Sequence, residues 1–443
     1  KMETRDWVSL CESIAENTLL QELKASGHAL DLDSVASFST LLSKNSGLKR
    51  IALGDSEFGD ERLKILSEGL RSNKGLEELE LDLKSVGPAG AKELAVALKE
   101  NRSLTKLKLS RNPLGDEGIT TLCEALETSN SSLQDLDIAE TGFGDPGATA
   151  LAKAIASPTC GLLKLSIADN ASIGSDGAAA LWSALGRRTG CGEEGDSSQP
   201  NGSDSQPARA GLKDLTLDGC DAVCRGGACD AMVAALTKAD CSLSQLSLQA
   251  LSLTPEESHA LARALGACPA LTKLRIAKSN LGDAFASTFS SSLLSAPAPP
   301  GLTSLDLTSN DLTADGLASL LSSPSLRVHT VCAFDNALKD GAASLLSSLS
   351  KQETVAPSLT DLDLGGNNID KEGAMALLTG LQANPSLLPS LATLGMGANE
   401  GVADVEDDSE LSALIEALRT RDVPLDVIIR AGVRSDPSGR PSM

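Results

Sequence analysis

Cys220, Cys224, Cys229 and Cys241 form the one tight group among ten cysteines. Clustered thiolates hold zinc when they come as C-x2-C pairs. The spacing C-x3-C-x4-C has no such pair, so these residues read as buried thiols, and no metal or cofactor is expected. The three histidines, His28, His259 and His329, stand beside no G-x-S-x-G, H-E-x-x-H or phosphate-binding glycine loop. Asp361 and Asp363 alternate along what reads as a strand, on its water-facing side. A general acid needs a raised pKa, and an open face gives no reason for one. Catalysis is therefore not expected. The residues left for recognition are a short basic run, Lys273, Arg275 and Lys278, with Phe334 further on.

Composition narrows the partners. Lys plus Arg number 38 against 60 for Asp plus Glu, a net charge of −22, which argues against nucleic acid. The stretch 284–305 carries no charge, yet it is too rich in Ser, Thr and Pro to span a bilayer. No direct membrane insertion is expected, and the start of the chain does not read as a signal peptide. Sparse cysteines argue against a disulfide scaffold. Of the sequons at Asn101, Asn130, Asn170 and Asn201, Asn170 falls where burial is expected, so the set reads as coincidence. These features favour an intracellular, cytoplasmic location, or an organelle if Lys1 follows a removed transit peptide.

The elements that must carry these residues repeat. Segments fitting or nearly fitting Leu-x-x-Leu-x-Leu begin at Leu20, Leu48, Leu76, Leu104, Leu133, Leu162, Leu212, Leu243, Leu271, Leu302, Val328, Leu359 and Leu391. Apolar residues alternate at Leu107 and Leu109, the period of a strand. They recur at Ile119, Leu122, Ala125 and Leu126, the period of a helix. One strand, one turn and one helix cannot bury an apolar face alone, so neighbouring units must stack. The unit resembles the ribonuclease-inhibitor type of leucine-rich repeat, over nearly the whole chain. That resemblance implies an α/β solenoid of about 13 repeats, a horseshoe with a parallel inner sheet and outer α-helices.

Within this frame, the position eight residues after each first Leu holds Asn112, Asn170, Cys220, Asn310, Asn336, Asn367 and Asn399. A buried amide there can bond the backbones of adjacent turns, forming a structural ladder. Four residues on stand Asp60, Asp116, Asp145, Asp283 and Asp340, expected to cap the start of the outer helix. The organisation read from this pattern is a helical cap over 1–19, repeats over 20–186, and a Gly/Ser/Pro-rich insertion over 187–211. Repeats resume over 212–424, with an acidic, solvated loop at 400–410, and 425–443 closes the chain. Trp182, just before the insertion, is expected to fill space that the interruption opens. Arg187 and Arg188 begin the insertion and are candidate partner contacts.

Strand alternation turns offsets +2 and +4 toward the inner face. Charges there alternate from repeat to repeat, predicting a ladder Arg50–Glu78–Lys106–Asp135–Lys164, with Glu80–Lys108–Asp137 beside it and Arg275 next to Asp306. A self-neutralised face points to a scaffold that binds protein partners, as a peripheral subunit of a larger assembly. The alternative is a GTPase-activating regulator, because Ran GTPase-activating proteins share the repeat type. In that family an arginine-bearing loop is linked to activation. Arg50, Arg62 and Arg71 lie in the matching region, without a matching loop motif.

Overall fold

A computed structural model describes residues 2–128, 130, 132–187, 211–296, 300–351, 355–403, 408–420 and 424–429. They divide into two compact units, Lys1–Leu243 and Ser244–Met443.

Unit 1 runs α1 (Thr4–Ile14), β1 (Glu22–Ser26), α2 (Leu32–Lys44), β2 (Arg50–Gly54), α3 (Gly59–Ser72), β3 (Glu78–Glu80), α4 (Pro88–Glu100), β4 (Lys106–Lys108) and α5 (Gly115–Thr128). It continues with β5 (Asp135–Asp137), α6 (Asp145–Ala156), β6 (Lys164–Ser166), α7 (Ser175–Arg187), β7 (Asp214–Thr216) and α8 (Gly227–Leu236). Its strands lie parallel in chain order, one residue of each repeat facing its counterpart: Glu78 pairs Lys106, and Lys106 pairs Asp135.

Unit 2 runs β8 (Gln245–Gln249), α9 (Pro255–Gly266), β9 (Lys273–Ala277), α10 (Gly282–Ser295), β10 (Ser304–Asp306), α11 (Ala314–Leu321) and β11 (Thr330–Cys332). It ends with α12 (Ala342–Leu349), β12 (Asp361–Asp363), α13 (Lys371–Ala383), β13 (Thr393–Gly395), α14 (Ser409–Arg419) and β14 (Asp426–Ile428). Its strands too are parallel and consecutive. The fold is thus an α/β leucine-rich-repeat solenoid, and β14 is its last strand among the described residues.

The core is a column of repeat leucines. Leu79, Leu107 and Leu136 point inward from successive strands, and Leu66, Leu94 and Leu122 meet them from the helices, all fully or nearly buried. Trp7 of α1 covers the first repeat, its ring 5.4 Å from His28 and 5.6 Å from Phe38. His28 is itself exposed, its ring set at 71° to that of Trp7. Trp182 is buried, with its Nε1–H donating to Val223 O at 2.8 Å. A void of only about 10 Å³ remains around it.

The acids at the helix starts bond differently from the expectation. Asp60 accepts from Gly87 N at 2.6 Å, and Asp116 from Gly144 N and Gly147 N at 2.8 and 2.9 Å. Asp145 accepts from Gly174 N and Gly177 N at 2.7 and 2.9 Å, and Asp283 from Thr313 N at 2.8 Å. Each carboxylate thus caps the helix of the following repeat, not its own. The cap is a tie between repeats, and it demands glycine: a Cβ on Gly177 would stand 2.5 Å from Asp145 Oδ1. The side chain of Asp340 lies outside the described residues.

The acidic loop is also less solvated than its composition suggests. Gly401 and Val402 are buried, Gly401 N bonds Ile369 O at 2.8 Å, and Asp408 pairs with Lys371 at 2.5 Å while capping α14. Residues 404–407 lie outside the described residues.

Candidate interaction surface

The polar spine sets how rigidly the inner face is held. In unit 2 the ladder amides are continuous. Asn336 Oδ1 accepts from Asn310 N and Leu312 N, both at 3.0 Å, and its Nδ2 donates to Leu307 O at 3.0 Å. Asn367 and Asn399 repeat the pattern, with Asn367 N donating to Asn399 Oδ1 at 2.7 Å. In unit 1, Asn112 reaches Leu81 O at 2.7 Å and Asn170 reaches Ile138 O at 3.0 Å. Cys220 Sγ takes the same role toward Ile167 O at 3.3 Å, and burial lifts its pKa to about 11. Cys220, Cys224 and Cys229 are buried thiols, whereas Cys241, expected buried with them, is half-buried; no cluster of metal-ligating side chains occurs among the described residues.

Unit 1 adds a second spine that the sequence reading passed over. Asn45, Asn73, Asn101 and Asn130 stand three residues before successive first leucines. Asn73 Nδ2 donates to Leu42 O at 2.6 Å and Asn45 O at 3.1 Å, while its Oδ1 accepts from Gly75 N and Leu76 N. Asn101 and Asn130 do the same one repeat further. The signal was present as Asn-x-[Gly/Ser]-Leu at the repeat period. Asn101, Asn130 and Asn170 are all at most 1% exposed, so these three sequons are structural amides. Asn201 lies outside the described residues.

The inner face of unit 1 is charged and largely paired. Lys106 Nζ lies 3.1 Å from Glu78 and 3.9 Å from Asp135, and Lys108 Nζ lies 3.2 Å from Glu80 and 3.7 Å from Glu78. The ends of the expected ladder differ. Arg50 turns back to Glu22 at 3.4 Å, and Lys164 turns forward to Asp214 at 3.2 Å. Both choices follow from competition, since Glu78 already serves two lysines and Asp135 is shared with Lys106.

Beside this network sits Asp82, held by burial and by Asp137 at a pKa of about 6, with Ser110 N donating to it at 2.9 Å. Burial likewise raises Asp135 and Asp169 above the usual carboxylate range. Lys84 occupies the ladder position of its repeat, where other units place Asn. It is buried, its Nζ donates to Ser26 Oγ at 3.2 Å, and burial lowers its pKa against the opposing pull of Asp82, Glu80 and Asp55.

The arginines of the GTPase alternative are all engaged within unit 1. Arg50 pairs Glu22, Arg71 pairs Glu100, and Arg62 donates to the carbonyls of Leu30, Glu57 and Phe58.

Unit 2 presents a different inner face. Lys273 and Lys278 are exposed, with no ion pair among the described residues. Arg275 Nε lies 3.1 Å from Asp306 Oδ2, an ion pair whose angle falls outside hydrogen-bond geometry, so the basic run offers two unpaired cations rather than three. Two strands on, roughly 10 Å at the usual strand spacing, Phe334 lies half-buried against Gly365 and Gly366. A Cβ on Gly365 would stand 2.8 Å from its ring. Gly366, at φ +67°, holds the left-handed turn there. Between them Cys332 Sγ contacts Thr308 Oγ1 at 3.4 Å, and burial lifts that thiol to about 11. Arg187 is the last residue of α7, and nothing of its side chain is described; Arg188 and the rest of the insertion to residue 210 lie outside the described residues.

The family model of the leucine-rich repeat matches residues 100–123, 129–152, 300–321 and 355–378. With the strand–helix unit recurring through both halves, the chain is a leucine-rich-repeat protein. Among solved structures it is similar to the yeast complex of Rad7 and Elc1, at 16% identity over 97% of this chain and 89% of that chain, TM-score 0.49. It is also similar to the leucine-rich repeat-containing protein LegL7 from Legionella pneumophila, at 18% identity over 74% of this chain and 95% of that chain, TM-score 0.44. These are likenesses of fold alone. No curated protein matches the chain. Folds of this class are generally non-catalytic modules that bind protein partners. No helix among the described residues is long and apolar enough to cross a membrane.

Proposed function

We propose that the chain is a non-catalytic interaction scaffold that engages a protein partner through the inner face of unit 2, as a peripheral subunit of a larger assembly. The observation that carries this reading is the contrast in charge pairing. On unit 1 the lysines at the centre of the inner face are bound to acids of neighbouring strands. On unit 2, Lys273 and Lys278 have no such acid, and Phe334 stands two strands away on the same face. Two free cations with one aromatic ring two strands on suit a partner segment that is acidic with an apolar anchor. With so few aromatics, modest affinity per contact is expected, which suits a subunit held at several points. The outer α-helices and a period near 28 support placing the repeats in the ribonuclease-inhibitor type.

The test is affinity purification of the chain from its source, beside a Lys273→Glu, Lys278→Glu, Phe334→Ala variant. Loss of one dominant partner from the variant is expected. An unchanged set of partners would remove the inner face of unit 2 from the account.

A further inference from the structure

The first strand of unit 1 lacks what the strands after it have. β1 pairs with β2 on one side and has no strand on the other among the described residues. In the next repeats the two amides at the strand start reach back to one carbonyl. Lys49 N and Arg50 N donate to Gln21 O at 2.8 and 2.9 Å, and Glu77 N and Glu78 N to Lys49 O at 2.8 and 2.9 Å. The matching amides of β1 belong to Gln21 and Glu22, and neither meets a partner among the described residues.

The asparagine spine of unit 1 is open at the same place. Asn17 Oδ1 accepts from Leu19 N and Leu20 N at 2.9 and 2.8 Å, as Asn45 Oδ1 does from Gly47 N and Leu48 N. Asn45 Nδ2 then reaches back to Ile14 O and Asn17 O, both at 2.8 Å, whereas Asn17 Nδ2 reaches no acceptor among the described residues. The apolar core is open here too. Leu10, Ile14, Leu20 and Leu23 are half-buried, while their counterparts one repeat on, Phe38, Leu42, Leu48 and Ile51, are at most 2% exposed. Unpaired backbone donors beside apolar surface call for an extended chain, which supplies carbonyls and apolar side chains together.

Leu19 disfavours one more stacked repeat as that chain. Its counterparts are Gly47 and Gly75, where a Cβ would stand 2.6 Å from Thr18 Cα and 2.5 Å from Ser46 O of the repeat before. A leucine in this place leaves no room for such a repeat, and Leu19 is 88% exposed. Charge adds a further constraint. Glu12 and Glu16, around the end of α1, are exposed and form no ion pair among the described residues.

We propose that a protein partner completes this end of unit 1 by adding one extended strand to the free edge of β1. A backbone carbonyl of that strand takes the amides of Gln21 and Glu22, and its alternate apolar side chains cover Leu20 and Leu23. Leu19 packs against its end, and a lysine or arginine answers Glu12 and Glu16. A second copy of this chain would bring the same acids and a net charge of −22 against this end. The proposal does not depend on the inner face of unit 2.

The probe is a labelled peptide of about six residues, the usual strand length, alternating Val and Lys. It is titrated by fluorescence anisotropy into the full chain, beside a peptide with proline in place of valine. Saturable binding of the valine peptide alone is expected, with the amides of Gln21 and Glu22 protected from hydrogen exchange when it is bound. Gln21→Pro removes one outward amide, spares the ladder to β2, and is expected to weaken binding about tenfold. Leu19→Ser, at an exposed position, is expected to weaken it about fivefold. Glu12→Lys with Glu16→Lys is expected to weaken the lysine peptide and to favour one carrying Glu instead. Should Gln21→Pro lose its helical circular dichroism, Leu19→Ser and the exchange of the two amides carry the test. Lys273→Glu with Phe334→Ala is expected to leave peptide binding unchanged. Equal binding of the proline peptide would reduce the effect to net charge and overturn the proposal. Absence of saturable binding, or indifference to both Gln21→Pro and Leu19→Ser, overturns it as well. So does a dimer in sedimentation that Gln21→Pro abolishes, which would give the edge to a second copy.

Discussion

Units 1 and 2 are built from the same strand–turn–helix repeat, yet unit 1 bonds successive repeats through asparagines on both sides of the strand, and unit 2, among the described residues, on one side. Unit 1 has Asn45, Asn73, Asn101 and Asn130 where the helix returns to the strand, beside Asn112 and Asn170 where the strand leaves for the helix. Unit 2 relies on Asn310, Asn336, Asn367 and Asn399, where the strand leaves for the helix. Their inner faces diverge in the same way. The first spends its lysines on neighbouring acids, and the second leaves Lys273 and Lys278 unpaired. A repeat needs one set of backbone groups satisfied per junction to stack. A second set on the other side is free to be present or not, and so is the chemistry of the face that the strands display.

The largest effect should come from cutting a spine. Asn367→Ala strands several buried backbone groups at about 1–3 kcal/mol each, so a loss of about 3–4 kcal/mol is expected in denaturant unfolding. Hydrogen exchange should show the opened amides in unit 2 only, and Asn101→Ala should open unit 1 only. Spread of either effect through both units would erase the distinction between them.

Next comes the tie between repeats. Gly177→Ala places a methyl against Asp145 Oδ1 and should cost about 2 kcal/mol. Asp145→Ala should cost about 1–2 kcal/mol as a lost cap. If the cap belongs to the next helix, the double variant loses less than the sum of the two. Simple additivity would contradict that geometry.

Asp82 gives a pH signature to unit 1. Its folded pKa, about 6, exceeds the ordinary 3.8, so the folded chain holds more protons between these values. Stability from this group is therefore full below about pH 4 and falls as pH rises to about 6. Asp82→Asn should raise stability at pH 7 by about 1–3 kcal/mol and flatten that slope. An unchanged slope would show that Asp137 and burial do not act on Asp82 as described. The smallest effect is reserved for the paired face: Lys108→Met should cost under about 1 kcal/mol, because its ion pairs are partly exposed.

The fold was legible because a period near 28 fixes strand, helix and neighbour together. The ladder at Asn310 through Asn399 was legible for the same reason, since one buried amide per period has few other uses. Charge pairing was only half legible. Alternation along the strands placed Glu78, Lys106 and Asp135 together, but every inner residue has two neighbours. Arg50 chose Glu22 because Lys106 and Lys108 occupy Glu78, a competition set by side-chain reach and not by spacing. The direction of the Asp cap was hidden likewise, since Asp145 and Gly177 lie 32 positions apart. Lys84 escaped notice because a lysine in an amide ladder fits no periodic rule.

Cross-linking mass spectrometry on the native assembly tests the contrast between the two inner faces most directly. Links from Lys273 and Lys278 to one dominant partner, with Lys106, Lys108 and Lys164 linked only within the chain, are predicted. Partner links concentrated on Lys106, Lys108 and Lys164, with none from unit 2, would contradict the account.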